Sequence, residues 1–591
     1  MPGMIKEYDV PVPMRDGVHL KVDVYRPDAP GRYPVIYSCS MHNKDLQRPE
    51  VAENLRVGQP PWSTMWYGII EAGDTKRFVA NGYVHVIGQV RGGHKSEGRP
   101  GQGGEWDEYD TFEWMCAQPW CDGNIGMVGL SGFSAIQWKA AAQQHPALKA
   151  IFPMDATGLY GGEIGFREAH PGGVINTFFY HLGLNNSMHM TLDTPPELPP
   201  EVEEVWRAAM ANPDYMMHVH LYNILTLKGQ RDPALFYTLL FPYEPPDVVA
   251  KAEQLLARIK IPVYTGAFEG AYTYKVHWQG AQHYFEGLRT PHKKLILTPP
   301  AHSERPFHDW HDEILRWFDY WLKGIDTGVL EEPPVKYWVM GENKWRYAAD
   351  WPLPETVWTP FYLHSWEKLS PQGHLAEGET FVNEPPDAFV QMPPTQTNRI
   401  ERLRYMTDPL PDDLLVAGPI SLTLYASIDQ DDTNWIVILK DVGPDVSVRT
   451  ARPGERELPA NLPERELTRG WLKASYRAVD PERSKPGRPW HYLTKDTVQP
   501  VVPGEINEYQ IEILSTCNLF KAGHRICLDI TSLDLAEGVA GETAVEYIAP
   551  HICSSKTVLH KVYHNARYPS HLLLPVMPLT GTTAKTPEKG A

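Results

Sequence analysis

The sequence predicts an α/β domain followed by an all-β domain, and three observations support this. Apolar runs alternate with helical patterns over residues 1–156, which is typical of a mostly parallel sheet covered by helices. A serine stands where one apolar run meets a helix, in MVGLSGFSAIQWKAAA at 127–142. After about residue 330, many short β-rich segments are separated by Pro, Gly and Asp turns, which indicates a sandwich.

The elements of the α/β part follow in order along the chain. A hairpin turning at residues 15–17 opens it, because both flanking segments alternate polar and apolar residues. Helices are expected at 131–145 and 312–324, where apolar residues recur with helical spacing. Strands are expected at 33–40, 83–90, 124–130, 148–156, 261–270 and 293–302.

Changes in texture along the chain predict the domain organisation. The alternation stops after residue 156, and helical segments rich in aromatic residues follow it, which we interpret as a cap inserted into the α/β core. The predicted parts are a first core segment at 1–156, a helical cap at 157–255, a second core segment at 256–332, a β-sandwich at 333–580 and a flexible tail at 581–591.

Composition excludes several classes of function. The net charge of -18 disfavours a nucleic-acid partner, because a phosphate-binding surface needs the opposite sign. Six cysteines in 591 residues do not make a disulfide framework. The N-terminus has no apolar signal region, and no apolar run is long enough to span a membrane. We therefore expect a cytoplasmic protein with no membrane partner.

The serine at the strand–helix corner is Ser131, in the layout of a nucleophile elbow. Such a sharp turn needs small neighbours, and Gly129, Gly132 and Ser134 meet that need. The backbone N–H of Gly132 is a natural donor to an oxyanion. The strict motif G-x-S-x-G fails at Phe133, and a serine that only caps the helix is the alternative reading.

A nucleophilic serine needs a histidine as base and a carboxylate that orients this histidine. In this type of sheet the order along the chain is serine, acid, histidine, each after a later strand. Glu269 and His302 end two later strands in that order. Taken alone, Glu269 also fits a solvated turn and His302 a loop, but the joint placement of all three residues favours catalysis.

Several motifs together resemble the CocE/NonD family of serine hydrolases (cocaine esterase and glutaryl acylase-like), which is related to X-prolyl dipeptidyl peptidases. The resemblance covers nearly the whole chain and implies an α/β-hydrolase core, a helical cap and a C-terminal jelly roll. Its motifs are QVRGGHKSEG at 89–98, DGNIGMVGLSGFS at 122–134, TGAFEG at 265–270, TPPAHS at 298–303, VMGENKW at 339–345 and CNLFKAGHRICLDITS at 517–532.

The resemblance implies that Ser131 is the nucleophile, His302 the general base and acid, and Glu269 the orienting carboxylate. Members of the family usually have aspartate where Glu269 stands, so Asp155 or Glu304 could compete for this role.

Two departures from the family concern the oxyanion. Gly132 stands where a tyrosine is usual, although its backbone N–H is kept, and His42 stands in place of the tyrosine that supplies the second donor. A neutral imidazole N–H can donate instead.

Arg91 fits a buried ion pair better than catalysis. The extra carboxylates of α-amino acid ester hydrolases are replaced by Ala271 and Tyr272, which predicts weak preference for cationic acyl groups.

Substrate-binding residues are less defined. Phe268, Phe166 and Phe178 are candidates to line an acyl pocket, although core packing is the more common role of such residues.

His308 and His311 lie one helical turn apart, but two ligands alone rarely hold a metal. We expect the reaction to need no metal and no organic cofactor.

The predicted activity is hydrolysis of a small-molecule ester or amide through an acyl-enzyme. An X-prolyl dipeptidyl aminopeptidase is the enzymatic alternative, and a carbohydrate- or protein-binding jelly roll is the non-enzymatic one. Assembly into a homo-oligomer is compatible with the sequence.

Overall fold

Two sheets organise the protein. The computed structural model describes residues 3–51, 71–99, 103–156, 166–177, 179–180, 198–226, 233–268, 275–298, 311–375, 384–397, 399–447, 461–534 and 551–579.

The first sheet has ten strands in the spatial order β1-β2-β4-β3-β5-β6-β7-β8-β9-β10. Its strands are β1 (Met4–Pro13), β2 (His19–Pro27), β3 (Tyr33–Ser40), β4 (Val84–Gln89), β5 (Cys121–Leu130), β6 (Leu148–Met154), β7 (Val263–Phe268), β8 (Lys293–Thr298), β9 (Val335–Val339) and β10 (Lys344–Ala348). Neighbours from β4 to β9 pair in parallel, whereas the strands at both ends pair antiparallel. The predicted parallel sheet and the opening hairpin are confirmed.

Helices lie on both faces of this sheet and in the inserted segment. They are α1 (Thr75–Ala80), α2 (Asp107–Cys116), α3 (Gly132–Ala142), α4 (Phe166–Ala169), α5 (Pro200–Ala211), α6 (Pro213–Met216), α7 (Val219–Thr226), α8 (Pro233–Leu240), α9 (Val248–Arg258), α10 (Lys275–Gly287) and α11 (His311–Lys323).

Alternate side chains of β5 enter two separate cores, which places the sheet between layers of helices. Met127 packs with Trp138 of α3 and with residues of α2 and α9 on one face. Val128 packs with Trp317 of α11 and Phe78 of α1 on the other face. This double cover explains why β5 ends in six consecutive buried residues rather than in an alternating pattern.

The helices between β6 and β7 form a core of their own. Leu221 and Ile224 of α7 and Phe236 of α8 are buried there together with Ile436 and Trp471 of the second sheet. The inserted segment is therefore helical in its described part, and it packs on the β-rich half of the chain.

The second sheet has twelve strands and is antiparallel apart from one short parallel pairing between β12 and β14. Its strands are β11 (Val357–His364), β12 (Lys368–Ser370), β13 (Asp387–Gln391), β14 (Arg402–Met406), β15 (Leu414–Ile428), β16 (Asn434–Ser447), β17 (Asn461–Lys473), β18 (Asn507–Phe520), β19 (Arg525–Thr531), β20 (Val558–Asn565), β21 (Tyr568–Pro569) and β22 (His571–Met577). Pairing of β15 with β22 closes the sheet on itself around one apolar core. The predicted all-β domain is confirmed.

The first sheet extends beyond residue 332, because β9 pairs in parallel with β8 and β10 follows it. The boundary predicted at residue 332 therefore falls before the last two strands of this sheet. The exact division into domains stays a prediction.

Arg91 lies in the buried ion pair that the sequence predicts. Its Nη2 is 2.7 Å from Oδ1 of Asp107, and its Nη1 is 2.8 Å from Oδ2 of Asp16.

All six cysteines are free. Among the helices that are described, none has the length and apolar character needed to cross a membrane.

Candidate active site

Ser131 stands at a strained corner between β5 and α3. Its φ of 49° and ψ of -113° lie outside the regions that L-residues readily adopt. Its N–H donates to the carbonyl of Met154 at 3.0 Å, and its own carbonyl accepts the N–H of Ser134 at 2.9 Å. Strain of this kind is retained at functional sites, and here it places a hydroxyl at the carboxyl edge of a parallel sheet.

The neighbours of Ser131 are small because no room is left for side chains. Gly129 has a φ of 147°, and a Cβ built on it lies 2.3 Å from the Cβ of Phe133. A Cβ built on Gly132 lies 2.8 Å from Nε2 of His42 and 2.8 Å from Oγ of Ser40. The two departures from the family pattern are therefore linked, since the imidazole at position 42 fills the space that a side chain at position 132 needs.

His42 is brought next to the residue that follows the nucleophile. Its side chain is 5% exposed, and its Nε2 lies 3.5 Å from Oε2 of Glu71. Gly132 is the first residue of α3, where backbone N–H groups have no acceptor within the helix. An imidazole nitrogen and the N-terminus of a helix thus lie side by side, and two N–H donors in such a place are what an oxyanion needs.

Glu71 is a buried carboxyl group behind this space. Its backbone carbonyl accepts the N–H of Leu130 at 3.0 Å, which ties it to the end of β5. Burial raises the pKa of Glu71 well above its ordinary value, and the charge of Asp155 raises it further. The shift favours the neutral form of Glu71, which places no full negative charge beside a developing oxyanion.

The raised pKa of Glu71 predicts a pH-dependent effect on stability. The folded protein holds this proton more tightly than the unfolded chain, so its contribution to stability is full below the ordinary value of 4.5 and is lost as the pH rises. Glu71→Gln carries no proton to lose. The unfolding temperature of the variant relative to wild type should therefore increase by a few degrees between about pH 4.5 and about pH 8.

A matched control is Glu505→Gln, which changes an exposed glutamate. Thermal unfolding of the three proteins at both pH values makes the comparison. An unchanged or decreasing difference between Glu71→Gln and wild type would show that Glu71 is ionised in the folded protein.

Asp155 follows β6 at the same edge of the sheet. It is 2% exposed and has a φ of 48°. Its N–H donates to the carbonyl of Gly266 at 2.8 Å, and its Oδ1 accepts the N–H of Phe268 at 3.1 Å. Burial raises the pKa of Asp155 well above its ordinary value, although the hydrogen bond from Phe268 lowers it. Asp155 joins the ends of β6 and β7, directly before the position of Glu269.

Of the other predicted site residues, some lie outside the described part of the chain and some are placed by the structure. Glu269, His302 and Phe178 lie outside the described residues. Phe268 ends β7 and is 5% exposed. Phe166 is buried in a small cluster with Tyr476 and Leu493, so packing accounts for its burial. The roles of all these residues stay predictions.

Glu71 is the residue that the sequence analysis missed. It lies in a loop before α1, so no strand or helix pattern points to it. The one signal is an acidic residue that directly follows two isoleucines in IIEAGD at 69–74. A carboxyl group in an apolar stretch is costly to bury, which marks it as a candidate for a specific role.

Comparisons with known proteins find similarity along most of the chain. The family model of X-Pro dipeptidyl-peptidases of the S15 family matches residues 16–304. The model of the C-terminal non-catalytic domain of X-Pro dipeptidyl-peptidases matches residues 327–573. Cocaine esterase from Rhodococcus sp. (strain MB1 Bresler) is 28% identical over 630 residues, which cover 96% of this chain and 98% of that protein.

Solved structures show the same fold. A CocE/NonD family hydrolase from Staphylococcus aureus is 22% identical with a TM-score of 0.72, covering 97% of this chain and 94% of that one. An α-amino acid ester hydrolase is 20% identical with a TM-score of 0.68, covering 97% of this chain and 96% of that one. The protein is thus a serine hydrolase of the X-prolyl dipeptidyl peptidase superfamily, and it is similar to the CocE/NonD hydrolases.

Proposed function

We propose that Ser131 is the nucleophile of a two-step hydrolysis of esters or amides, with His302 as the base and Glu269 as the acid that orients it. The observation that carries the proposal is the strained corner at Ser131, at the carboxyl end of β5. His302 takes the proton as the Ser131 hydroxyl attacks the substrate carbonyl, and it then protonates the leaving group. Water activated by His302 releases the acyl group.

The oxyanion of each tetrahedral intermediate accepts hydrogen bonds from the N–H of Gly132 and the ring N–H of His42. The separation of 2.8 Å between Nε2 of His42 and a Cβ built on Gly132 supports this pairing. Because both donors are held in place before substrate arrives, they stabilise charge that develops only in the transition state.

His42→Ala tests the second donor. We expect kcat to fall by about 10²–10³-fold with little change in KM, because the lost interaction forms in the transition state. His19→Ala removes an imidazole that is 45% exposed and serves as the control. Steady-state kinetics on one activated ester would exclude this role if the kcat of His42→Ala equalled that of His19→Ala.

Ester or acyl-amide substrates are favoured over X-prolyl dipeptides. Support comes from the similarity to cocaine esterase along 96% of the chain. Further support is that the residues after Glu269 are the uncharged Ala271 and Tyr272, so the sequence offers no carboxylate there to hold a free amino group.

A panel of chromogenic substrates tests this preference. It contains p-nitrophenyl esters of neutral acids, matched α-amino acyl esters, simple anilides and X-prolyl anilides. We expect the highest kcat/KM for a neutral ester and no strong bias toward the cationic acyl group. Turnover confined to X-prolyl anilides would support the dipeptidyl-peptidase alternative instead.

A further inference from the structure

Three potential metal ligands from separate segments of the second sheet and its loops lie close together. His364 is the last residue of β11, His374 lies in the loop after β12, and Glu384 precedes β13. One ligand atom from each residue lies within 4.8 Å of the others. We propose that His364, His374 and Glu384 form a binding site for a divalent first-row transition-metal ion such as Zn²⁺, apart from the catalytic serine.

The distances within this cluster fit a shared ion. Nδ1 of His374 is 3.1 Å from Oε2 of Glu384, and Nδ1 of His364 is 3.5 Å from Oε1. Oε2 of Glu384 makes no hydrogen bond to any described residue, so its 3.1 Å contact with His374 does not have the geometry of a hydrogen bond. Two ligand atoms of a tetrahedral zinc, each about 2.0–2.1 Å from the ion, lie about 3.3 Å apart. Both contacts are close to that separation.

The surroundings of His364 orient its ring for a metal. Nε2 of His364 is 2.9 Å from the carbonyl oxygen of Gln372, so Nε2 carries the proton and donates it to this carbonyl. The lone pair of a neutral ring is then on Nδ1, which faces the carboxylate of Glu384. A metal ion between these two acceptors would satisfy both, and a backbone carbonyl on the far ring nitrogen is the usual support of a metal-bound histidine.

His374 is the most buried of the three ligands, since its side chain is 5% exposed. Its Nε2 has no hydrogen-bond partner among the residues described.

A third histidine, His564, lies behind Glu384. Nδ1 of His564 lies 3.7 Å from Oε2 of Glu384, and Nε2 of His564 is 2.9 Å from Oδ2 of Asp387. The side chain of His564 is fully buried, whereas those of the three ligands are 5–23% exposed. An ion can thus enter from solvent, and water can complete its coordination.

The donor set selects the class of metal. Two imidazole nitrogens with one carboxylate suit zinc, cobalt, nickel or copper, whereas calcium and magnesium prefer oxygen ligands alone. The cluster shares no residue with the site at Ser131. A bound ion would join β11 to the segment that enters β13.

The test is a titration of the chelator-treated full-length protein with Zn²⁺ alone, measured by calorimetry. In a separate titration with Co²⁺, the absorption of the bound ion reports the nitrogen ligands. We expect one equivalent to bind to wild type, with the affinity at least about 100-fold weaker in H364Q/H374Q and at least about 10-fold weaker in E384Q. The matched control is H19Q, because Nδ1 of His19 also lies near a glutamate, 3.3 Å from Oε2 of Glu97, but without a second imidazole.

Thermal unfolding with and without Zn²⁺ gives a second readout. The ion should raise the unfolding temperature of wild type and H19Q but not of E384Q, which is the milder variant if the double variant folds poorly. Wild-type affinity in both E384Q and H364Q/H374Q would overturn the proposal. A dissociation constant above about 100 µM for Zn²⁺ and wild type would also overturn it, because protein zinc sites bind far more tightly than this.

Discussion

Replacing Ser131 with alanine is expected to lower kcat/KM by about 10⁴-fold or more, because the acyl-enzyme can no longer form. The substitution removes one oxygen from a partly exposed side chain, so folding should be unaffected. Steady-state kinetics on the best ester of the panel, together with the unfolding temperature, measure both effects.

Ser134→Ala is the matched control, since it removes a hydroxyl from the same helix three residues later. Ser134 is fully buried, and its Oγ has no hydrogen-bond partner within the described part of the chain. Its loss should leave kcat/KM near the wild-type value. More than a tenth of wild-type activity in Ser131→Ala would exclude Ser131 as the nucleophile.

Glu269→Gln is expected to lower kcat by about 10³–10⁴-fold, because a glutamine cannot stabilise the imidazolium that forms on His302. Asp155→Asn is expected to lower it by less than about 10-fold. Burial raises the pKa of Asp155 well above its ordinary value, which favours the neutral form, and a neutral carboxyl group does not balance the charge of an imidazolium.

The same pair of variants resolves which carboxylate orients the base. Both substitutions preserve size and shape, and the hydrogen bond from the backbone N–H of position 155 to Gly266 of β7 involves neither side chain. A larger loss of kcat in Asp155→Asn than in Glu269→Gln would assign the role to Asp155. Kinetics of both variants with one activated ester make the comparison.

Local patterns were enough to predict the elements around the nucleophile. Apolar runs that end at Gly or small polar residues predicted strands at 33–40 and 124–130, and the structure has β3 at Tyr33–Ser40 and β5 at Cys121–Leu130. Buried parallel strands are apolar on both faces, so the pattern is unambiguous there. The corner at Ser131 was predictable because a sharp strand–helix turn demands small residues.

Features that depend on distant pairing were not predictable. β9 and β10 join the first sheet although their sequence resembles that of the β-rich half, since pairing with β8 is not encoded in local periodicity. Glu71 reaches the space beside Ser131 from a loop. His364, His374 and Glu384 come from segments that are separate in the sequence, and their meeting depends on the closed second sheet.

The central claim is that the hydroxyl of Ser131 is activated by His302 at the carboxyl edge of the first sheet. Labelling with a fluorophosphonate, followed by peptide mapping by mass spectrometry, tests it most directly. The account predicts one adduct, on the peptide that contains Ser131, and its loss in both Ser131→Ala and His302→Ala. An adduct on another residue, or an active enzyme that forms none, would contradict it.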